Sequence, residues 1–384
     1  MRIAYITETY PPEINGVALT VKRSVDHLRE SGHIVDLIRP RRPRERVGPS
    51  PEGWLASGCS LPMYPEVRFG WALPSTLAAR FRAARPDVVH AATPGPLCCA
   101  AVMAANKLGI VATSDFRTNF HQYARYYRLG WLESTIGNYL RWFHNQTRCS
   151  FVPTHSTRLS LQREGFEGLA VVGRGVDLDR FSPECRNAAL HAQWNSRGGP
   201  VLLYVGRLAA EKNVELALRA ARRAAAQVPG ARTVVVGDGP RRRFLEREFP
   251  EALFVGMQTG DALARHYASA DLFLFPSLSE TFGNVTLEAL ASGVPVVAFN
   301  LAAAAEFVAD GVSGRLIEPG NESAFIDATC QLVSDAHRLE AMRWSARKAA
   351  LGATWPAALA KFEQRLMETV DAAQRDRYAF EYVA

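Results

Sequence analysis

The sequence lacks the patterns that mark a disulfide framework, a metal centre or a membrane span. None of its six cysteines forms a C-x-x-C pair, and its nine histidines show no H-E-x-x-H spacing. It has no run of 18 or more apolar residues, and its start lacks the charged region and small-residue cleavage site of a secretory signal. We therefore expect a soluble cytoplasmic protein with reduced thiols. The one D-x-D pattern, Asp177-Leu178-Asp179, lies in a predicted turn, so we expect no bound metal.

Positive charge is concentrated in the N-terminal half of the chain. The formal net charge of the 384 residues is +7, with +8 on residues 1–180 and −1 on residues 181–384. A basic half of this kind suits nucleic acid, an anionic membrane surface or simple solubility, and charge alone does not choose among them.

Short runs rich in Val and Ile alternate with longer helical patterns along the whole chain. This alternation is typical of βαβ units and predicts an α/β protein with a doubly wound, Rossmann-like parallel sheet in each half. We place the two domains at residues 1–180 and 181–365, with the polar segment 181–199 as the linker. The last helix, about 366–384, is expected to pack back on the first domain. The two sheets are expected to face each other across a cleft, with ligand-binding residues at the carboxyl ends of their strands.

Glycine and basic residues follow two of the predicted strands. Gly16 lies at the turn between the first strand and an amphipathic helix, where backbone amides and the helix N-terminus suit a phosphate. An ordinary Asn-Gly turn explains that glycine equally well. Arg207 ends the strand of VLLYVGRL, and Lys212 comes near the start of the next helix. As a pair they can neutralise a diphosphate, although each residue alone is more often solvated surface.

The segment SETFGNVTLEALASGVPVV carries Glu280 and Glu288, separated by seven residues, across a predicted loop and helix start. Carboxylates repel phosphate, so we expect the two glutamates to accept hydrogen bonds from hydroxyl groups that flank a bound anion. That combination describes a nucleotide diphosphate sugar. The alternative for either residue singly is a capping carboxylate or a surface glutamate. The backbone amides that are expected to point out of this helix N-terminus are those of Phe282, Gly283, Asn284 and Val285.

Taken in order, these motifs resemble those of the retaining glycosyltransferases of family 4, which have the GT-B fold. The resemblance rests on YPPEINGV, GRLAAEKN, VVVGDGP, YASADLFLFPS and the E-x7-E segment, and it covers residue 3 to about 320. Within the family, RGVDLDRFSP and DFRTNFHQY are most similar to GDP-mannose-dependent α-mannosyltransferases. UDP-glucose or another UDP-sugar remains the alternative donor.

The resemblance implies roles for residues of the C-terminal domain, which would bind the nucleotide sugar. Arg207 and Lys212 would bind the diphosphate. Glu288 would hold the ribose hydroxyl groups, and Glu280 would contact the donor sugar near the reacting carbon. The base would rest against the backbone near Gly256 and Met257.

The resemblance also implies roles for the N-terminal domain, which would bind the acceptor. Gly16 would close on the diphosphate. Many family members have a histidine that contacts the donor sugar where this chain has Arg117, with His121 four residues later, and either residue is a candidate for that contact. Transfer would proceed by front-side displacement with retention, and neither a metal nor another cofactor would be required.

Aromatic and basic residues are mixed in one segment of the N-terminal half. Nine aromatic residues fall within residues 116–143, interleaved with four arginines, and the helix 75–85 adds three arginines. A membrane interface suits this mixture, because rings lie at headgroup level and arginine meets phosphate. We therefore favour a lipid-linked or glycan acceptor at an anionic membrane surface, on the inner face of the cytoplasmic membrane. An aromatic core with a solvated edge is the alternative.

Two other functions stay open at this stage. A basic half with interleaved aromatic residues suits a nucleic-acid-binding module, but no RNP, KH or helix-turn-helix pattern accompanies it, so we expect no nucleic-acid partner. A GT-B epimerase acting on the same donors is the nearest enzyme alternative, and it would need no acceptor.

Overall fold

Buried apolar strands alternate with helices along both halves of the chain, as the sequence patterns predict. The computed structural model describes residues 1–13, 16–61, 64–117, 130–194 and 198–381. The chain divides into two units. The N-terminal unit takes in Met1–His121, Trp131–Gly173 and Ala358–Ala384, and the C-terminal unit is formed mainly by Arg174–Ala357.

The N-terminal unit is built on one sheet whose central strands are parallel. The strands are β1 (Arg2–Ile6), β2 (Ile34–Pro40), β3 (Gly48–Ser50), β4 (Gly53–Leu61), β5 (Tyr64–Trp71), β6 (Val88–Ala91), β7 (Val111–Asp115), β8 (Cys149–Val152) and β9 (Leu169–Val171). In the described part of this unit their order in the sheet is β3-β4-β2-β1-β6-β7-β8-β9, with β5 paired to β4. The neighbours of β1 are β2 on one side and β6 on the other, so the order reverses between β1 and β6.

Helices follow most of these strands, as the βαβ pattern requires. They are α1 (Gly16–Glu30), α2 (Pro74–Ala84), α3 (Pro96–Lys107), α4 (Gly130–Asn145) and α5 (His155–Arg163).

The C-terminal unit has a sheet in which every pairing among the described residues is parallel. The strands are β10 (Val201–Val205), β11 (Arg232–Val236), β12 (Leu253–Gly256), β13 (Leu272–Phe275), β14 (Val296–Phe299) and β15 (Gly314–Ile317). Their order in the sheet is β12-β11-β10-β13-β14-β15, so the order reverses between β10 and β13. The helices are α6 (Ala188–Trp194), α7 (Val214–Gln227), α8 (Arg242–Glu248), α9 (Gly260–Ala268), α10 (Asn284–Ala291), α11 (Ala302–Phe307), α12 (Glu322–Val333) and α13 (Ala336–Ala350).

Alternate residues of β1 belong to two different apolar cores, because successive side chains of a strand point to opposite faces. Ala4 and Ile6 pack in the core that contains α2 and α3. Ile3 and Tyr5 pack in the other core, with α1. The N-terminal sheet is therefore covered on both faces, which is the doubly wound arrangement that the sequence predicts.

The last helix, α14 (Trp355–Glu381), starts in the C-terminal unit and ends in the N-terminal unit. Phe362, Leu366 and Val370 are buried in the core that contains Tyr5. Glu363 accepts hydrogen bonds from the rings of His27 at 2.8 Å and His33 at 2.9 Å. The C-terminal residues thus complete the N-terminal core.

Two parts of the fold differ from the sequence expectation. The strands β3, β4 and β5 add antiparallel pairings to the N-terminal sheet, although glycine, serine and proline within them weaken the strand signal. The segment 181–199, expected to be a linker, contains a short 3₁₀ helix (Pro183–Cys185) and α6. Trp194 at the end of α6 is only 4% exposed and packs in the core of the C-terminal unit.

Candidate active site

Lys212 and Glu280 form an ion pair where the strand order of the C-terminal sheet reverses. Lys212 ends a short 3₁₀ helix after β10, and Glu280 follows β13, the neighbouring strand. Lys212 Nζ lies 2.5 Å from Glu280 Oε1, and the two side chains are 15% and 14% exposed. A cation and a carboxylate are thus brought together at the edge where open α/β sheets bind their ligands.

The N-terminus of α10 lies beside this pair and has no side-chain cap. Gly283 precedes the helix with a φ of 85°, which favours glycine, and a Cβ there would lie 3.6 Å from Glu280 Cγ. Phe282 is buried, whereas Val285 is half-buried. The side-chain oxygen Oδ1 of Asn284 is buried and has no hydrogen-bond partner in the described parts of the chain. A helix N-terminus carries about half a positive charge, so this end of α10 suits an anion.

Arg207 lines an open cavity of about 470 Å³ at the carboxyl ends of β10, β11 and β12. Met257 and Gln258 lie on the same cavity, and Met257 is 71% exposed. Gly256 ends β12 with a φ of 72° and turns the chain toward Met257. The structure therefore brings Arg207 close to Met257, one of the two residues that the family resemblance assigns to the base.

The glycines of the VVVGDGP segment let two loops of this cavity touch through their backbones. Leu208 N donates to Asp238 O at 2.9 Å. A Cβ on Gly237 would lie 2.0 Å from Gly206 O, and one on Gly239 would lie 2.5 Å from Leu208 O. The G-x-G pattern is weak evidence for a binding motif. Close backbone packing explains why both of its positions are glycine.

Gly237→Ala is expected to destabilise the C-terminal unit by about 3 kcal/mol, because the new Cβ overlaps a carbonyl at a positive φ. For a unit of this size the melting temperature falls by roughly 6–12 °C, which calorimetry measures. Gly352→Ala is the matched control, since a Cβ at Gly352 meets no atom within 4 Å. Equal melting temperatures for the two variants contradict the packing argument.

Glu288 lies on α10 and contacts a buried tyrosine. The Tyr267 hydroxyl donates to Glu288 Oε2 at 3.1 Å. Burial raises the pKa of Glu288 to about 7, against the opposing effect of the Tyr267 hydrogen bond. A carboxyl group with this pKa changes its charge in the neutral range, so its hydrogen bonding to a ligand depends on pH.

In the N-terminal unit, Arg117 lies just beyond the end of β7. Its Nε donates to Asp115 Oδ2 at 2.7 Å, and its side chain is 10% exposed. Gly16 is the first residue of α1, and no described atom lies within 4 Å of the position of a Cβ there. His121 lies outside the described residues.

Glu8 is a residue that the sequence analysis missed. It follows β1, is 5% exposed, and accepts a hydrogen bond from Leu97 N at 2.9 Å, at the start of α3. The Thr93 hydroxyl, beyond the end of β6, also donates to it. Burial raises the pKa of Glu8. The protein's own carboxylate thus occupies this helix N-terminus, at the reversal point of the N-terminal sheet. A lone glutamate after a strand gives no sequence signal for this role.

The aromatic and basic residues of the N-terminal half divide into several environments. Residues 118–129 lie outside the described residues. Phe116 and Phe143 are buried in the core, whereas Trp142 is 45% exposed. On α2, Arg80 is paired with Asp36 at 2.6 Å, while Arg82 is exposed. In the described part of the chain, no helix combines the length and apolar character needed to cross a bilayer.

Two sequence families match the chain. The family described as "Glycosyltransferase Family 4" matches residues 14–180, and the family described as "Glycosyl transferases group 1" matches residues 199–335. A GDP-mannose-dependent alpha-mannosyltransferase from Mycolicibacterium smegmatis is 34% identical over 93% of this chain and 94% of its own length. One from Corynebacterium glutamicum is 31% identical over 98% of this chain and 91% of its own.

Solved structures are similar over nearly the whole chain. A sucrose-phosphate synthase from Thermosynechococcus elongatus has a TM-score of 0.74 at 19% identity, covering 97% of this chain and 100% of that one. The structure of Anabaena HepE in complex with UDP-glucose has a TM-score of 0.69 at 15% identity, and the match covers 96% of this chain and 100% of that one. At these identities the similarity shows the fold, which is GT-B. The chain therefore belongs to glycosyltransferase family 4 and is a hexosyltransferase with the GT-B fold.

Proposed function

We propose that this enzyme transfers an α-mannosyl group from GDP-mannose, with retention of configuration, to a lipid-linked or glycan acceptor. The observation that carries the proposal is the Lys212–Glu280 pair beside the uncapped N-terminus of α10. A diphosphate needs the cation and the amides, and the hydroxyl groups of a sugar need the carboxylate. The names of the relatives that are 31–34% identical support mannose and guanosine as the transferred sugar and the nucleoside.

In this reaction the protein chiefly stabilises charge. Lys212, Arg207 and the amides at the start of α10 bind the diphosphate and stabilise the negative charge that grows on it as the glycosidic bond breaks. Glu280 and Arg117 contact hydroxyl groups of the hexose, and Glu288 contacts those of the ribose. The leaving diphosphate accepts the proton of the acceptor hydroxyl on the same face of the sugar. No divalent metal takes part, so EDTA should leave the rate of transfer unchanged.

Thermal stabilisation by a panel of nucleotides tests the donor. A ligand at 100 times its Kd should add about 2.7 kcal/mol to the stability. We expect GDP and GDP-mannose to raise the melting temperature more than UDP and UDP-glucose at equal concentration. UDP-sugars are the second candidate donors, because a solved structure with this fold holds UDP-glucose. Stronger stabilisation by UDP and UDP-glucose would replace the GDP-mannose assignment with a UDP-sugar.

The affinity for the donor is expected to rise about tenfold between pH 6 and pH 8. Glu288 has a pKa of about 7 when no donor is bound. Ribose hydroxyl groups donate hydrogen bonds to the charged carboxylate, so donor binding lowers this pKa and releases a proton. Proton release makes binding tighter as the pH rises. Titration calorimetry with GDP-mannose, whose diphosphate does not titrate in this range, measures the slope.

Glu288→Gln is the control for this pH dependence. Glutamine has nearly the same shape but does not ionise, so the variant should bind GDP-mannose with an affinity that is flat between pH 6 and pH 8. The same slope in the variant and in the wild type would assign the proton to another group.

The acceptor side is proposed to meet an anionic membrane surface through the N-terminal unit. Three large apolar side chains at or just beyond the end of β5 are exposed, and Arg82 and Arg85 are exposed at the end of the adjoining helix α2. The apolar residues are Phe69, Trp71 and Leu73. Rings, aliphatic groups and arginines that are exposed on one unit suit a headgroup interface.

Vesicle co-sedimentation tests this surface. The double variant Arg82→Glu with Arg85→Glu should bind phosphatidylglycerol vesicles at low salt more weakly than the wild type. Lys107→Glu with Arg163→Glu makes the same change of charge at other exposed positions of the same unit and should bind like the wild type. An equal loss of binding in both double variants would reduce the interaction to net charge.

A further inference from the structure

A chain of buried polar side chains holds Arg117 in place. The Thr113 hydroxyl lies 2.9 Å from His90 Nδ1, and His90 Nε2 lies 3.1 Å from Asp115 Oδ2. Arg117 Nε donates to the same carboxylate oxygen at 2.7 Å, and a second guanidinium nitrogen also contacts it. His90 is on β6, and Thr113 and Asp115 are on β7, so two neighbouring strands support one arginine.

Burying the ring of His90 costs free energy unless its nitrogen atoms form hydrogen bonds. It is 0% exposed and lies in an aromatic enclosure, with ring centroids 4.7 Å from Tyr5, 5.9 Å from Phe151 and 5.2 Å from Phe362. Phenylalanine would fill this enclosure without burying polar nitrogen atoms. Both ring nitrogens of His90 have partners, so the burial is compensated by the hydrogen bonds to Thr113 and Asp115.

The protonation states fix the direction of the hydrogen bonds. Burial raises the pKa of Asp115, but the Arg117 guanidinium and the His90 ring outweigh it and bring this pKa down to about 2. Asp115 is therefore a carboxylate that only accepts hydrogen bonds. His90 Nε2 must then carry the proton that it donates to Asp115, which leaves Nδ1 facing the Thr113 hydroxyl.

The guanidinium lies where a ligand would meet it. Arg117 is just beyond the carboxyl end of β7, and ligands of open α/β sheets bind at the carboxyl ends of the strands. Two neighbouring strands fix Asp115 and His90, and Asp115 in turn holds Nε and one terminal nitrogen of the arginine. A guanidinium has five N–H donors in a rigid fork. Asp115 takes two of them and the Tyr5 hydroxyl also contacts the group, so donors remain for a further partner.

We propose that Asp115 and His90 are positioning residues that hold the guanidinium of Arg117 for a hydroxyl group of the substrate. This inference rests on the proposed function, in which Arg117 contacts the hexose. Asp115 balances the charge of Arg117. In the proposed function the diphosphate already has its own ligands in Arg207, Lys212 and the amides at the start of α10. The pair therefore suits a neutral hydroxyl group, and the binding of nucleoside diphosphate should not depend on it.

The test compares transfer with nucleotide binding in four variants. Arg117→Gln, Asp115→Asn and His90→Phe should each lower kcat by about 100-fold, because misplacement of a contact by about 1 Å costs this much. Their Kd for GDP, measured by calorimetry without acceptor, should stay within about threefold of that of the wild type. His90→Gln keeps a donor toward Asp115 and should regain most of the activity that His90→Phe loses.

Several results would overturn the inference. One is a kcat in Asp115→Asn or His90→Phe equal to that of the wild type. Another is a loss of GDP affinity in Arg117→Gln as large as the loss of kcat, which would make Arg117 a phosphate ligand. A third is an equal loss of kcat in His90→Gln and His90→Phe, which would mean that His90 contributes only to packing. Because phenylalanine suits the aromatic enclosure, His90→Phe should remain folded, and its melting temperature checks this.

A measurement independent of activity separates this inference from the proposed function. Imidazole ¹⁵N NMR of the whole protein should show the His90 proton on Nε2, and Asp115→Asn should shift that resonance. A His90 proton on Nδ1 alone, or a resonance unchanged in Asp115→Asn, overturns the positioning claim. Wild-type protein that transfers no hexose from any nucleotide sugar would instead refute the proposed function, whatever the state of His90.

Discussion

Replacing Arg207 with alanine is expected to lower kcat/KM by about 10²- to 10³-fold, because removing one preorganised donor from a developing negative charge costs about 3–4 kcal/mol. Arg207 lies on the cavity at the ends of β10, β11 and β12, and its side chain is exposed. Its removal should therefore leave the melting temperature almost unchanged. Initial rates with GDP-mannose, measured together with the Kd for GDP, check both parts.

Arg219→Ala is the matched control for this prediction. Arg219 is on α7 in the same unit, is 46% exposed and pairs with Glu322 at 2.6 Å. The control removes the same charge from the surface of the unit without touching the cavity. Equal activities in the two variants would show that Arg207 contributes only to the general charge of the surface.

Glu280→Gln is expected to lower the rate of transfer and to raise the affinity for GDP. Transfer should fall by about 10²- to 10³-fold, because the carboxylate is the charged acceptor for the hydroxyl groups of the hexose. The affinity for GDP should instead rise, by about two- to fivefold, because the variant removes a negative charge 2.5 Å from the ammonium of Lys212. Kinetics and calorimetry on one preparation give both numbers.

Glu322→Gln serves as the comparison, since Glu322 is 49% exposed and lies on α12. It should change neither the rate nor the affinity for GDP. Weaker GDP binding in Glu280→Gln would mean that the carboxylate orders the site for the nucleotide rather than contacting the sugar. In that case the hydroxyl contact would have to be assigned to another residue.

The sequence predicts well where residues close to the end of a strand lie in the fold. The apolar runs before Arg207 and Glu280 mark buried strands, and the parallel pattern places both residues at the carboxyl edge of one sheet. The Lys212–Glu280 ion pair is not part of this prediction, because it depends on β10 and β13 being neighbours in the sheet. The family prediction is confirmed by the sequence profiles and the relatives.

Residues whose partners are distant in sequence are those that the sequence does not reveal. Glu8 bonds to the amide of Leu97, 89 residues later, and His90 bonds to Asp115, 25 residues later. Neither spacing forms a motif, because each contact depends on which strands become neighbours. The sequence does not predict the antiparallel strands β4 and β5 for another reason. Residues of low strand propensity interrupt both of them. The roles of all the site residues, those of Gly16 and His121 included, stay predictions.

The route of α14 has a consequence for the synthesis of the protein. Phe362, Leu366 and Val370 cover apolar side chains of the sheet that begins at residue 2. At translation speeds of about 5–20 residues per second, the 384 residues need roughly 20–80 s on the ribosome. After the first half is made, about 180 further residues, or roughly 9–36 s of synthesis, separate it from its final apolar cover. Premature termination before residue 362 would therefore yield a polypeptide with a permanently exposed apolar face, which is a target for chaperones and proteases.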